Sequence, residues 1–237
     1  MFTIIKRELL YYFYTSTAYA FLGIFISLAG LLYSLLNLIP LSSDIPGFLS
    51  QLNVVCLFLL PILTMNSFSK EFKQGTNKLL FSAPIPKHGI VLGKFFAAFN
   101  IVIIALFSTF IFVIFTKYYG EIYWAETLLA YLGIILNCIL FLSLDLFIAS
   151  ICKNQIAAAI ASFASNLFLW FIDLLPKNNV LSTQFLSFIS PYHRLTPFMI
   201  GQLSYANIVY FIVFSIILVH ACTLYLQYLL LGGAKHA

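Results

Sequence analysis

Between residues 127 and 151 the chain reads TLLAYLGIILNCILFLSLDLFIASI, an apolar run with one charged side chain, Asp145. Comparable runs recur along the sequence, and none alternates apolar with polar residues as a half-buried strand does. A fold in water could not hide this much apolar surface: 62% of the 237 residues are hydrophobic and 8% are charged. The mean hydropathy is +1.04, and soluble domains carry about 25% charged residues. The solvent is therefore lipid, where backbone polar groups must be satisfied within the spanning segment and only helices or closed barrels survive. Continuous runs select helices, and a hydrocarbon core about 30 Å thick asks for about 20 apolar residues in each.

Six spans are read, at about 17–39, 52–68, 94–116, 127–151, 156–175 and 208–231. The second contains Pro61, which removes one backbone bond and kinks a helix. Lysines and arginines set the orientation. With the N-terminus inside, the inner side holds Lys6, Arg7, Lys70, Lys73, Lys78, Lys87, Lys94, Lys153 and Lys235, against Lys117, Lys177 and Arg194 outside. Both termini are expected in the cytoplasm, with Tyr118, Tyr119, Tyr123 and Trp124 as an outer interfacial belt. The piece between the last two spans is too apolar for a solvated loop. It is expected to re-enter the membrane or pack as short helices over the spans.

The opening MFTIIKRELLYYFY lacks the pattern of a cleavable leader, because Lys6, Arg7 and Glu8 interrupt it. Ile4, Ile5, Leu9, Tyr12 and Phe13 fall near helical spacing beside that charged face, which suits a helix lying in the interface. Cys56, Cys138, Cys152 and Cys222 have no metal or redox spacing and read as small buried hydrophobes. No soluble domain, repeat or low-complexity tail is evident, so residues 1–237 are read as a single membrane domain.

Chemistry finds little support. No nucleophile elbow or zinc-protease motif occurs, and His88, His193, His220 and His236 lie far apart in sequence. GIVLGKF at 89–95 resembles a phosphate loop but has three residues between its glycines and Phe95 where a magnesium-binding hydroxyl belongs. No catalytic residue, metal site or cofactor is assigned to this chain. Asp145 is costly in lipid and reads either as a side chain bonded to a neighbouring Ser, Asn or Lys153, or as a proton or cation site. Asp173 is read as interfacial. Ser162, Ser165 and Asn166 lie in IAAAIASFASNLFLW, whose small residues favour close helix approach, at a subunit seam or along a polar path.

Residues 69–94, SKEFKQGTNKLLFSAPIPKHGIVLGK, gather many of the lysines. Phe68, Phe72 and Leu79 share one helical face. Gly75-Thr76 weakens the helix, since Gly is about 1 kcal/mol worse than Ala there. Pro84 and Pro86 then impose an extended turn. The expected shape is an amphipathic elbow on the cytoplasmic side.

This stretch, extended to MNSFSKEFKQGTNKLLFSAPIPKHGIVLGKF, resembles the first cytoplasmic loop of ABC-2-type transporter permeases. The matching positions are Phe68, Glu71, Gly75, Thr76, Leu79, Leu80, Pro84, Gly93, Lys94 and Phe95. KRELLYYFYTSTAYAFLGIF is similar to the family's interfacial start, and LFIASICKNQIAAAIASF to its fourth and fifth spans. SPYHRLTPFMIGQLSYANIVYF is similar to its outer segment before the last span. Asp145 departs from the family, which usually has a small or apolar residue there. Short permeases associated with gliding, copper-site maturation and antimicrobial-peptide export or immunity look closest.

The resemblance implies an all-α integral membrane permease with six transmembrane helices, an N-terminal interfacial helix, a cytoplasmic coupling helix and a re-entrant outer segment. It would be multi-pass in the bacterial inner membrane and surrounded by lipid. It would pair with a second permease subunit, as a homodimer, and each copy would dock a separate ABC ATPase that carries ATP and Mg. No nucleic-acid partner is implied. In this scheme Phe68, Glu71, Gly75, Thr76, Leu79, Leu80 and Pro84 couple to the ATPase, with Gly75-Thr76 as the bend, Leu79-Leu80 as the apolar knob and Glu71 as a polar contact. Export or membrane extraction of a substrate such as a peptide would follow. The alternatives are an ion- or proton-coupled transporter built on Asp145 and a mechanical or maturation complex that moves no small solute.

Overall fold

The computed structural model describes residues 2–69, 87–172 and 189–233. Helices dominate these residues, and no strand occurs among them. Helix α1 (Phe2–Tyr14) leads into α2 (Ser16–Tyr33), which runs on through a π-helical turn, Ser34–Leu38. There follow α3 (Ile45–Thr64), α4 (Lys87–Ser108), α5 (Phe110–Tyr119) and α6 (Trp124–Ile151). The last three are α7 (Gln155–Phe171), α8 (Pro191–Met199) and α9 (Tyr205–Gly233).

Helix α6 is the hub, because its sequence is apolar on every side and a helix of that kind needs partners all round. It packs against α9, α3, α8, α7 and α4. Gly133 permits the approach of α8: a Cβ there would lie 2.8 Å from Phe198 Cβ. The small residues of α7 divide between two faces. Ala158, Ser162 and Asn166 are buried toward α3 and α6, while Ala157 and Ala164 stay exposed beside Ile156, Ile160 and Phe168.

Among the described residues, five helical segments are long and apolar enough to cross a membrane: Ser16–Leu38, Ile45–Ser69, His88–Tyr119, Trp124–Ile151 and Tyr205–Tyr228. The fifth expected span, 156–175, is represented by the shorter apolar helix Gln155–Phe171, and residues from 173 to 188 lie outside the described ones, Asp173 with them. The second span begins at Ile45 rather than 52. Asp44 caps it, accepting from Gly47 N at 2.9 Å, and Pro46 sits in the first turn, where a missing N–H costs nothing. The third begins at Lys87 and reaches Tyr119 across a break at Thr109, whose hydroxyl bonds Leu106 O and Tyr131 Oη instead of leaving the helix regular. The expected outer segment contains α8, an amphipathic helix started by Ser190 and Pro191 and packed on α6.

The N-terminal segment is a helix of its own, separated from α2 by the extended backbone of Thr15 (φ −86°, ψ 145°). Its buried stripe is Ile4, Glu8 and Tyr12, each four residues after the last. Glu8 therefore does not belong to the exposed charged face expected from sequence. The stripe packs on α4, and a Cβ at Gly93 would fall 2.5 Å from Ile4 Cγ2.

Candidate functional site

Three polar contacts are strung along α3, the helix that leads into residues 70–86. The lowest is a junction of α1, α3 and α4. Lys94 is 2% exposed. Its Nζ donates to Ser67 O at 2.6 Å and lies 3.5 Å from Glu8 Oε2 and 5.2 Å from the Phe68 ring centroid. Glu8 also accepts from Arg7 at 2.6 Å. Tyr12 Oη donates to Leu63 O at 3.1 Å and shares a hydrogen bond of 3.1 Å with Ser67 Oγ. Burial pushes the Tyr12 phenol well above its ordinary value, against a smaller lowering by Ser67. A buried ammonium is tolerated only when paired and hydrogen-bonded. Here the carboxylate of α1 and a carbonyl just beyond α3 supply both needs. Ser67 precedes residues 70–86 and Lys94 follows them, so the described segments on either side of that stretch meet α1 at one side chain.

The middle contact lies at Pro61, inside α3. Pro61 has no N–H, so the carbonyl four residues earlier, Leu57 O, loses its helical donor. Asn166 replaces it from α7: its Nδ2 donates to Leu57 O at 3.3 Å and to Asp145 Oδ2 at 3.4 Å. One amide thus holds α3, α6 and α7 together, with Phe58 and Phe163 packed beside it at 5.1 Å between centroids. Asp145 is fully buried, and its Oδ1 has no partner among the described residues. The same holds for Asn166 Oδ1 and for Ser162 Oγ, one turn away on α7. About two turns from Asp145 along α6, Asn137 Nδ2 donates to Asn53 Oδ1 of α3 at 2.8 Å. Such bonds between helices in lipid contribute about 0.6 kcal/mol each, up to about 1.7.

Of the residues singled out from sequence, the structure brings Asp145, Ser162 and Asn166 to one place, leaves Ser165 half-buried, and buries Phe68 beneath Lys94. Glu71, Gly75, Thr76, Leu79, Leu80 and Pro84 lie outside the described residues. Lys94, Glu8, Tyr12, Asn53 and Asn137 were not singled out. Lys94 counted only as an inside charge and a motif match, yet it is among the most buried side chains. Residues 89–95, the near phosphate loop, are helical within α4, so beyond its first turn their backbone N–H groups bond within the helix and form no anion cradle. No group of three or more His, Cys, Asp or Glu side chains able to hold a metal occurs among the described residues. Cys56, Cys138 and Cys222 are free and buried, and Cys152 is half-buried.

The arrangement ties α3 to its neighbours at three heights, and so can pass a displacement of its lower end to α6 and α7. A family model described as ABC-2 family transporter protein matches residues 52–228, from within α3 to within α9. No curated protein matches the chain.

Proposed function

The chain belongs to the ABC-2 transporter family, and on that premise we propose that it couples ATP hydrolysis by a separate ATPase subunit to export or membrane extraction of a substrate. It is a multi-pass membrane permease component of an ABC transporter, from a family without a nucleotide-binding domain of its own. This proposal rests on one observation above all, the Lys94 junction that ties α4, after residues 70–86, to α1 and to Ser67, before them. Residues 70–86 act as the coupling segment on the cytoplasmic face, with Phe68 at its root, Gly75-Thr76 as the bend, Leu79-Leu80 and Pro84 seated in a groove of the ATPase, and Glu71 as a polar contact. A push there moves α3 as a lever, and Asn166 hands the motion to α6 and α7. Two copies pair, each with one ATPase that binds ATP and Mg, in a bacterial inner membrane. A peptide is the cargo we favour.

The test is Glu71→Ala and Leu79→Asp in the complex with its ATPase, reconstituted in liposomes. Both variants are expected to lose substrate-stimulated ATPase activity and transport. Wild-type values in both would overturn the assignment. A second reading, an ion-coupled transporter, is favoured by one observation, the fully buried Asp145 with Oδ1 unpartnered among the described residues. Asp145→Asn separates the two, because the amide oxygen still accepts from Asn166. Coupled transport is expected to persist, and its loss with ATPase stimulation intact would favour the ion-coupled reading.

A further inference from the structure

At the end of the molecule opposite the Lys94 junction, two cavities of about 320 Å³ each meet at Ser42 and Ser43. Each falls within the range of small-molecule sites. The first is walled by the rings of Tyr33, Phe115 and Tyr119 together with Asn37. The second is lined by three acidic residues, Asp44, Glu121 and Glu126, of which Asp44 also caps α3. No lysine or arginine lines either one. Lys117, the nearby cation, lies over the Trp124 ring, 5.2 Å from its centroid.

Asn37 shows what the first cavity lacks. It sits in the π-helical turn that ends α2, a local irregularity frequent at functional sites. It is 3% exposed, and both hydrogens of its amide are spent on the connecting loop, donated to Ser42 O and Asp44 O at 3.1 Å each. That leaves Oδ1, buried and without a partner among the described residues. The loop so held includes Leu41 at φ +54°, a left-handed conformation that leucine rarely adopts. An occupant must therefore bring a donor to Asn37, positive charge to three carboxylates with no ion pair among the described residues, and apolar surface to three rings. An anion fails on charge, and a neutral apolar molecule leaves Asn37 Oδ1 unmet. Acidic residues at one end suit an ammonium, and aromatic rings at the other suit an apolar chain. The exposed belt of Tyr118, Tyr119, Tyr123 and Trp124 sets this site at the headgroup level, where a molecule already dissolved in the bilayer reaches it sideways.

We propose that this double cavity binds an amphiphile whose head is an ammonium group and whose tail is apolar, the tail among Tyr33, Phe115 and Tyr119 and the head between Asn37 and the three carboxylates. Calling the occupant a transported substrate rests on the permease reading, whereas its binding does not. Binding is therefore measured directly, without the ATPase. Purified Trp170→Phe protein in uncharged maltoside micelles leaves Trp124 as its one indole, and dodecylammonium is titrated against Trp124 fluorescence. The expected result is a saturable change that weakens at least tenfold in Glu121→Gln/Glu126→Gln and in Tyr119→Leu, and that dodecyl phosphate does not produce. Tyr119 and Glu121 are exposed, so Tyr119→Leu alone carries the test if the double variant does not fold. Competition by phosphatidylethanolamine added to the micelles assigns the site to a lipid headgroup, and its failure assigns it to a free amphiphile. Either keeps the ammonium site. Equal saturation in wild type and variants, or by dodecyl phosphate, overturns it.

Discussion

If Asn166 stands in for the donor that Pro61 lacks, then restoring that donor must make Asn166 less valuable. Pro61→Ala gives position 61 an N–H that can reach Leu57 O within the helix. Asn166→Ala removes the present donor, leaves Leu57 O unmet inside the bundle, and also strips Asp145 of its bond to Asn166. The loss at Asp145 is common to both backgrounds and cancels in a double-mutant cycle. What remains is the Leu57 O bond. At 3.3 Å it is long, and hydrogen bonds between helices in lipid average about 0.6 kcal/mol with a ceiling near 1.7. An unmet carbonyl in the helix bundle costs about 1–3 kcal/mol. The expected coupling is therefore about 1 kcal/mol, with Asn166→Ala the more destabilising where Pro61 is present. Unfolding in mixed micelles against the mole fraction of dodecyl sulfate, followed by far-ultraviolet circular dichroism on all four proteins, gives the four free energies. Additivity within about 0.3 kcal/mol, the usual result for independent sites, would refute the reasoning.

Lys94→Met leaves Glu8 buried without its α4 partner, and breaking a buried pair costs about 3–5 kcal/mol. A lower micellar unfolding midpoint is expected, partly recovered in Glu8→Gln/Lys94→Met, and no drop would contradict the junction. Gly93→Val drives a side chain into Ile4 and is expected to loosen α1, seen as faster proteolysis near Arg7, with relief from Ile4→Ala. Tyr12 carries a pH signature. Its folded phenol is raised above the unfolded value of about 10, so its contribution is fully present below pH 10 and is lost as pH rises above it. The slope is at most about 1.4 kcal/mol per pH unit, and the alkaline loss is expected to be smaller in Tyr12→Phe.

The lipid solvent, the helical class and most helix positions were legible because continuous apolar runs leave few alternatives. Pro61 within a span was legible as a missing helical donor, but the partner of the freed carbonyl was not, since Asn166 lies 109 residues away. Lys94 illustrates the same limit. Charge counting treats every lysine alike, and only the meeting of α1 with α4, across 86 residues, reveals that this one is buried. Glu8 could have been found: Ile4, Glu8 and Tyr12 stand at four-residue spacing, and a charge within a buried stripe asks for a counter-charge. Asn53 and Asn137 were overlooked because a single amide barely lowers the hydropathy of a long run, although it must find a partner in lipid. The expected start at 52 followed the apolar run alone, whereas α3 begins at Ile45, with Asp44 as its cap and Pro46 and Gly47 in its first turn.

Affinity between this permease and its ATPase is the most direct measure of whether residues 70–86 dock the motor. With the ATPase subunit immobilised and the permease in nanodiscs, wild type is expected to bind saturably and Leu79→Asp to bind at least tenfold more weakly, with helical content unchanged. Wild-type affinity in Leu79→Asp would contradict the claim that this segment seats in the ATPase.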